Sequence, residues 1–172
     1  MKIQRVWTCK GLPIISTWIT DNSYEKHRPF TQVYGVCFTP DDKVLVVKDL
    51  EDWIIPGGTP EQGELPEQTL RREIDEEAAV ITGIAKMIGC VHNSFPNNPV
   101  KSEGESFYQL RYVAIIDRID PLRPDPCTGR TFKREFIKPE QFNDYVKWGD
   151  VGKEMFRLAY EAFEQWKRTG QF

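Results

Sequence analysis

The chain has 172 residues and a formal charge of 23 − 26 = −3, with an isoelectric point near 5.5. Apolar residues make up 40% and charged residues 28%, which excludes a disordered tail. It also excludes the strongly basic surface that non-specific nucleic-acid binding needs. No apolar run approaches the ~20 residues of a spanning helix, so no membrane is expected as a partner.

The basic start Met1-Lys2-Ile3-Gln4-Arg5 leads into a stretch broken by Pro13 and polar residues rather than an apolar leader core. The expected setting is the cytoplasm. Cys9, Cys37, Cys90 and Cys127 are scattered and form no Cys-x-x-Cys pair, so they are expected as reduced thiols. With no repeat and no Gly/Ser-rich linker, residues 1–172 are read as one domain.

Strand signals come first. Residues 14–20, 32–39 and 43–48 are rich in strand formers, and the turn Pro40-Asp41-Asp42 makes the last two a hairpin. Trp53-Ile54-Ile55 ends at Pro56-Gly57-Gly58, where helix and strand are both expected to stop. Pro66 at a first-turn position and Glu67 beside the positive dipole end open a helix placed at 66–79. Residues 80–92 and 106–117 read as strands, separated by an Asn/Pro-rich loop at 93–104, and 121–130 reads as a second loop. Met155, Leu158, Ala159, Ala162, Phe163 and Trp166 form one apolar stripe, predicting a closing helix over 151–169 with Asp150 as its N-cap. Pairs Arg157–Glu161 and Glu164–Arg168 are expected on its outer face. Residues 1–31, with Trp7 and Trp18, form an N-terminal extension that either covers the sheet or makes a homodimer contact. The fold class is α/β, a mixed sheet with helices on its faces.

The chemistry gathers on the first helix. Leu70, Ile74 and Ala78 share one arc that faces the sheet, while Glu73, Glu76 and Glu77 cluster on the next arc with Arg72 at its edge. Like charges three and four residues apart repel. A helix that tolerates them either faces water or holds a cation, and clustered carboxylates suit Mg2+ first, with Mn2+ as a substitute. Gly57 and Gly58 allow a close backbone approach to a ligand.

The spacing resembles the Nudix hydrolase signature, GX5EX7REUXEEXGU, where U is a bulky aliphatic. Gly58 opens it, Glu64 follows after five residues, Arg72-Glu73 after seven more, then Ile74, Glu76-Glu77 and Val80. One fixed position departs, because Ala79 stands where the pattern has glycine. Chance agreement at the six charged or glycine positions is on the order of one in a hundred thousand by average composition.

The resemblance implies a Nudix-type α/β/α sandwich in which residues 57–80 form a loop–helix–loop. It implies metal-dependent hydrolysis of a nucleoside diphosphate linked to another moiety: an ADP-sugar such as ADP-ribose, or a nucleoside triphosphate. Pro96, sixteen residues past the box, is similar to the ADP-ribose pyrophosphatase pattern. By resemblance, Glu73, Glu76 and Glu77 hold Mg2+ with the Gly57 carbonyl, and Arg72 orients the glutamates. One of these glutamates or a later carboxylate serves as general base; the further acids are Glu64, Glu105 and Glu135. Lys48, Arg111, Arg130, Lys133 and Arg134 are phosphate candidates, and Trp53, Phe95, Phe107 and Tyr108 base-stacking candidates. The alternative is a regulatory module that senses nucleotides without cleaving them; such modules lose box carboxylates, and here all three stand. A diphosphate isomerase on the same scaffold would need an activated cysteine, and neither Cys37 nor Cys90 has a neighbour to activate it.

Overall fold

A computed structural model describes residues 2–9, 11–96 and 106–172. Nine strands form one mixed sheet: β1 (Gln4–Cys9), β2 (Leu12–Ile19), β3 (Phe30–Phe38), β4 (Val44–Asp49), β5 (Asp52–Ile54), β6 (Gly57–Gly58), β7 (Val80–Ser94), β8 (Ser106–Ile119) and β9 (Lys133–Ile137). The helices are α1 (Pro66–Ala78), α2 (Phe142–Tyr145) and α3 (Gly149–Thr169). The sheet runs β1-β2-β7-β8-β3-β4-β5, with β6 also on β3 and β9 also on β4. Among the described residues only β3 and β8 pair in parallel.

Alternation along the central strands divides the core between two faces. Val33, Cys37, Leu110, Tyr112 and Ala114 pack with Leu70, Ile74 and Ala78 of α1. Val36, Phe38, Val113 and Ile115 pack with Met155, Ala159 and Phe163 of α3. The predicted stripe and arc are therefore the buried faces of the two helices.

Several boundaries move. Gly57–Gly58 does not end the strand region: it pairs with Val33 and Tyr34 of β3. A Cβ at Gly57 would lie 2.2 Å from the Val33 carbonyl oxygen and 2.6 Å from Tyr34 Cα, so only glycine permits that approach. Asp150 is not the N-cap of α3; Trp148 is, and the helix starts two residues earlier than expected, at Gly149, which adopts φ 61°. Asp150 lies in the first turn and pairs with Lys153. Glu164 pairs with Lys167 at 3.0 Å rather than with Arg168, whereas Arg157–Glu161 forms as expected.

The N-terminal extension lengthens the sheet: β1 pairs β2, and β2 pairs β7. Trp18 joins the core, while Trp7 stays on the rim. All four cysteines are free. Burial pushes the Cys90 thiol up to about 12 and the Cys37 thiol higher still, so neither offers an activated thiolate. Among the described residues no helix is long and apolar enough to cross a membrane.

Candidate functional site

Helix α1 begins at Leu65, which has no capping side chain; Gln68 Oε1 accepts the Leu65 N–H at 2.8 Å instead. Glu64 just before it accepts from Thr69 Oγ1 at 2.9 Å, which fixes the loop carboxylate against the helix. From there Glu64 meets Arg72, whose Nε lies 2.8 Å from Glu64 Oε1 and whose Nη2 lies 3.0 Å from Glu64 Oε2. Arg72 Nη1 reaches Glu73 Oε1 at 2.9 Å and Glu76 Oε2 at 3.1 Å. Its Nη2 also donates to the Thr59 carbonyl. One guanidinium thus gathers three carboxylates, and this network holds the Glu64 carboxyl down at about 2.

Glu77 takes the inner position. The Gly57 N–H donates to its Oε2 at 3.0 Å. Burial pushes its carboxyl up to about 8, and Glu73 is raised by the same cause. A Cβ on Gly58 would fall 2.4–2.5 Å from the Glu73 carboxylate. The paired glycines therefore do two jobs: Gly57 lets the backbone reach β3, and Gly58 leaves room for Glu73.

The C-terminal end of α1 places the departing residue, Ala79, in a conformation that favours glycine. Ala79 adopts a left-handed conformation at φ 49°, ψ 49°, with its N–H on the Asp75 carbonyl. The last turn of the helix contains no basic residue. Arg134 of β9 supplies the charge from across the sheet, donating to the carbonyls of Ala78, Ala79 and Asp120. A cation at the negative end of the dipole satisfies carbonyls the helix cannot. Arg134, expected to meet phosphates, is therefore a helix cap.

Other expected residues fall elsewhere. Glu105 lies outside the described residues. Glu135 accepts from the Tyr145 hydroxyl at 2.9 Å, on the α2 side, and does not join the glutamates. Lys48 lies 4.0 Å from Glu51. Trp53 stacks edge-on against Tyr145, and Phe95 tilts against Phe107. Arg130 pairs with Asp49. None of these contacts reaches the Arg72 group.

Arg111 is different, being buried beneath Tyr34 and Trp148 with its Cζ 4.6 and 5.3 Å from the ring centres. Together with Asn93, Gln109 and Asp52 these residues line a cavity of about 340 Å3 on the α3 face. Tyr34 is also the residue that Gly57 packs against, and Gly57 in turn meets Glu77, so cavity and glutamates both border the β3–β6 contact.

Asp125 is the acid that sequence reasoning missed. It sits in the loop between β8 and β9, where Arg123 is anchored to Asp75 of α1 at 2.6 Å. Although desolvation opposes it, the Thr128 and Cys127 N–H groups hold its carboxyl below the usual range. Its charge is felt at both Glu73 and Glu77. The only local signal was an Asp followed by turn residues.

Among the described residues, no group of three or more His, Cys, Asp or Glu side chains stands ready-made to hold a metal ion. The donor set nevertheless fits one. The bonds above use Glu73 Oε1, Glu76 Oε2 and Glu77 Oε2, leaving the second oxygen of each outside them. A carboxylate whose charge is disfavoured by burial, as at Glu77, gains from a cation beside it.

A family model of the NUDIX domain matches residues 29–158. No curated protein matches the chain. Solved structures similar to it include the pyrophosphohydrolase BsRppH from Bacillus subtilis, at 15% identity and TM-score 0.62, covering 88% of this chain and 91% of that one. A NUDIX hydrolase from Nitrosomonas europaea aligns at 19% identity and TM-score 0.57, covering 79% and 90%. A MutT protein from Bacillus halodurans aligns at 20% identity and TM-score 0.56, covering 73% and 78%. At these identities the likeness is one of fold.

Proposed function

We propose that the chain, which belongs to the NUDIX domain family, is a pyrophosphohydrolase that cleaves, with Mg2+ or Mn2+, the pyrophosphate bond of a nucleoside diphosphate linked to another moiety. The observation that carries this reading is the convergence of Glu64, Glu73 and Glu76 on Arg72, with the half-buried Glu77 held by the Gly57 N–H.

Glu73, Glu76 and Glu77 would hold the divalent ion, together with the Gly57 carbonyl. When bound there, the ion supplies charge neutralisation for the phosphates and a more acidic water. Arg72 keeps the glutamates in register, and Glu64, locked by Thr69, keeps Arg72 in place. The proton of the attacking water passes to one of these carboxylates or to Asp125 on the facing loop. The cavity beyond Tyr34 accommodates the nucleoside, and the phosphates lie over the β3–β6 contact.

The test is a panel of nucleoside triphosphates, ADP-ribose, nucleotide sugars and dinucleoside polyphosphates, assayed with Mg2+ and with EDTA, products identified by mass. Mg2+-dependent hydrolysis of at least one pyrophosphate is expected. Hydrolysis unaffected by EDTA, or none across the panel with Mg2+ and with Mn2+, contradicts the proposal.

A further inference from the structure

The segment between β8 and β9 carries a small closed unit. The Asp125 N–H donates to the Arg130 carbonyl at 2.7 Å, and the Gly129 N–H donates back to the Asp125 carbonyl at 2.8 Å. The Asp125 carboxylate accepts from the Cys127 and Thr128 N–H groups through Oδ1, at 2.8 and 2.7 Å. Residues 125–130 are thereby tied to one another by backbone and side chain alike. The unit moves as one piece and carries Asp125 with it.

This unit borders the glutamates. The Asp125 charge opposes ionisation of both Glu73 and Glu77, and the Glu76 charge is the largest cause raising the Cys127 thiol. Two ion pairs hold it there. Arg130 Nη2 meets Asp49 Oδ1, at the end of β4, at 3.0 Å. Arg123 Nη2 meets Asp75 Oδ1, on α1, at 2.6 Å. Arg130 Cζ also lies 5.1 Å from the centre of the Phe132 ring, which narrows the directions its guanidinium can take. All four charged side chains are partly exposed, and an exposed pair shifts a local equilibrium by about fivefold at most. One pair alone is therefore a weak hold. Two pairs, anchored on different elements, fix orientation as well as distance.

We propose that Arg123 and Arg130 are positioning residues for the hydrolysis: their pairs with Asp75 and Asp49 hold the 125–130 unit with Asp125 toward Glu73 and Glu77. The proposal rests on the reading that this carboxylate cluster is the hydrolytic site. Misplacing a reacting group by about 1 Å can cost on the order of a hundredfold in rate. A unit that is seldom in place therefore slows turnover without weakening substrate binding.

The test uses Mg2+ and the pyrophosphate substrate that the panel shows to be turned over fastest. Arg123→Gln and Arg130→Gln are each expected to lower kcat about three- to fivefold, and together about tenfold or more, with KM changed less than about twofold. Arg130→Lys keeps the ion pair and should recover most of the loss. In an Asp125→Asn background the two Gln substitutions together should change kcat less than about twofold, because the group they position is gone.

Cys127 gives a reading that needs no turnover. Its alkylation by iodoacetamide, located by peptide mapping, should begin at lower pH in the double variant, because the thiol has moved away from the Glu76 charge. Loss of two cations by itself would move it to higher pH, so the sign separates the two effects. Unchanged kcat in the double variant, a loss carried by KM, a full loss in the Asp125→Asn background, or alkylation that stays or moves to higher pH would overturn the proposal. A wild-type protein that hydrolyses nothing contradicts the hydrolase reading instead, and the alkylation shift still decides whether the two pairs hold the unit.

Discussion

At the scale of single residues, the site depends on how each carboxylate is held. Glu76 is tied to Arg72 and Glu77 to the Gly57 N–H, so an amide at either position keeps the shape but loses the charge. Glu76→Gln or Glu77→Gln should lower kcat by at least about a hundredfold with the thermal transition preserved. A rate near wild type would mean the helix simply presents a charged face to solvent.

Glu64 makes a separate prediction. Its folded carboxyl lies near 2, below an ordinary value of 4.5. Its contribution to stability is therefore complete above about pH 4.5 and lost as pH falls toward 2. Glu64→Gln should cost on the order of 2 kcal/mol at pH 7 and little at pH 2, measured by urea unfolding at both.

Ala79 tests the one departure from the signature. An alanine in the left-handed region is strained, so Ala79→Gly should stabilise by about 1 kcal/mol or less, shifting the urea midpoint at unchanged m. Destabilisation would mean that the methyl group is a favourable packing element.

At the scale of elements, what was legible depended on sequence distance. Helix α1, its buried arc and its acidic arc follow from residues within four positions of one another, and the 3.6-residue period exposes them. The hairpin at Pro40-Asp41-Asp42 is equally local, with Thr39 and Lys43 bonded across the turn. Strand β9 was hidden because Lys133-Arg134-Glu135-Phe136-Ile137 is mostly charged, and only its pairing with β4 makes it a strand.

The Arg134 cap joins residues 55 and 56 positions apart, and the Ser16–Asn93 bond spans 77. No local pattern announces either. Arg134→Met should leave the Ala78, Ala79 and Asp120 carbonyls without their charged donor. The expected loss is about 2 kcal/mol, or roughly 4–8 °C in Tm for a chain of this size. A Tm within about 1 °C of wild type would show that water caps the helix equally well.

At the scale of the whole molecule, Gly57 joins the glutamates of α1, through Glu77, to Tyr34 on the wall of the cavity beside α3. Glu77 couples those glutamates to pH. Its carboxyl is raised from 4.5 to about 8, so the metal-free protein should lose stability as pH rises through that window, because the buried group must ionise. A bound divalent ion replaces the proton, so stabilisation by Mg2+ should grow between pH 6 and 9. Thermal unfolding with and without Mg2+ across that range checks the sign, and a Mg2+ effect that shrinks with rising pH contradicts it.

The most direct measurement is an anomalous difference map from crystals soaked in Mn2+ with a non-hydrolysable nucleotide. The account predicts a peak within about 2.0–2.3 Å of carboxylate oxygens from at least two of Glu73, Glu76 and Glu77. Nucleotide density without any such peak, with Arg72 still filling the space between the carboxylates, would contradict it.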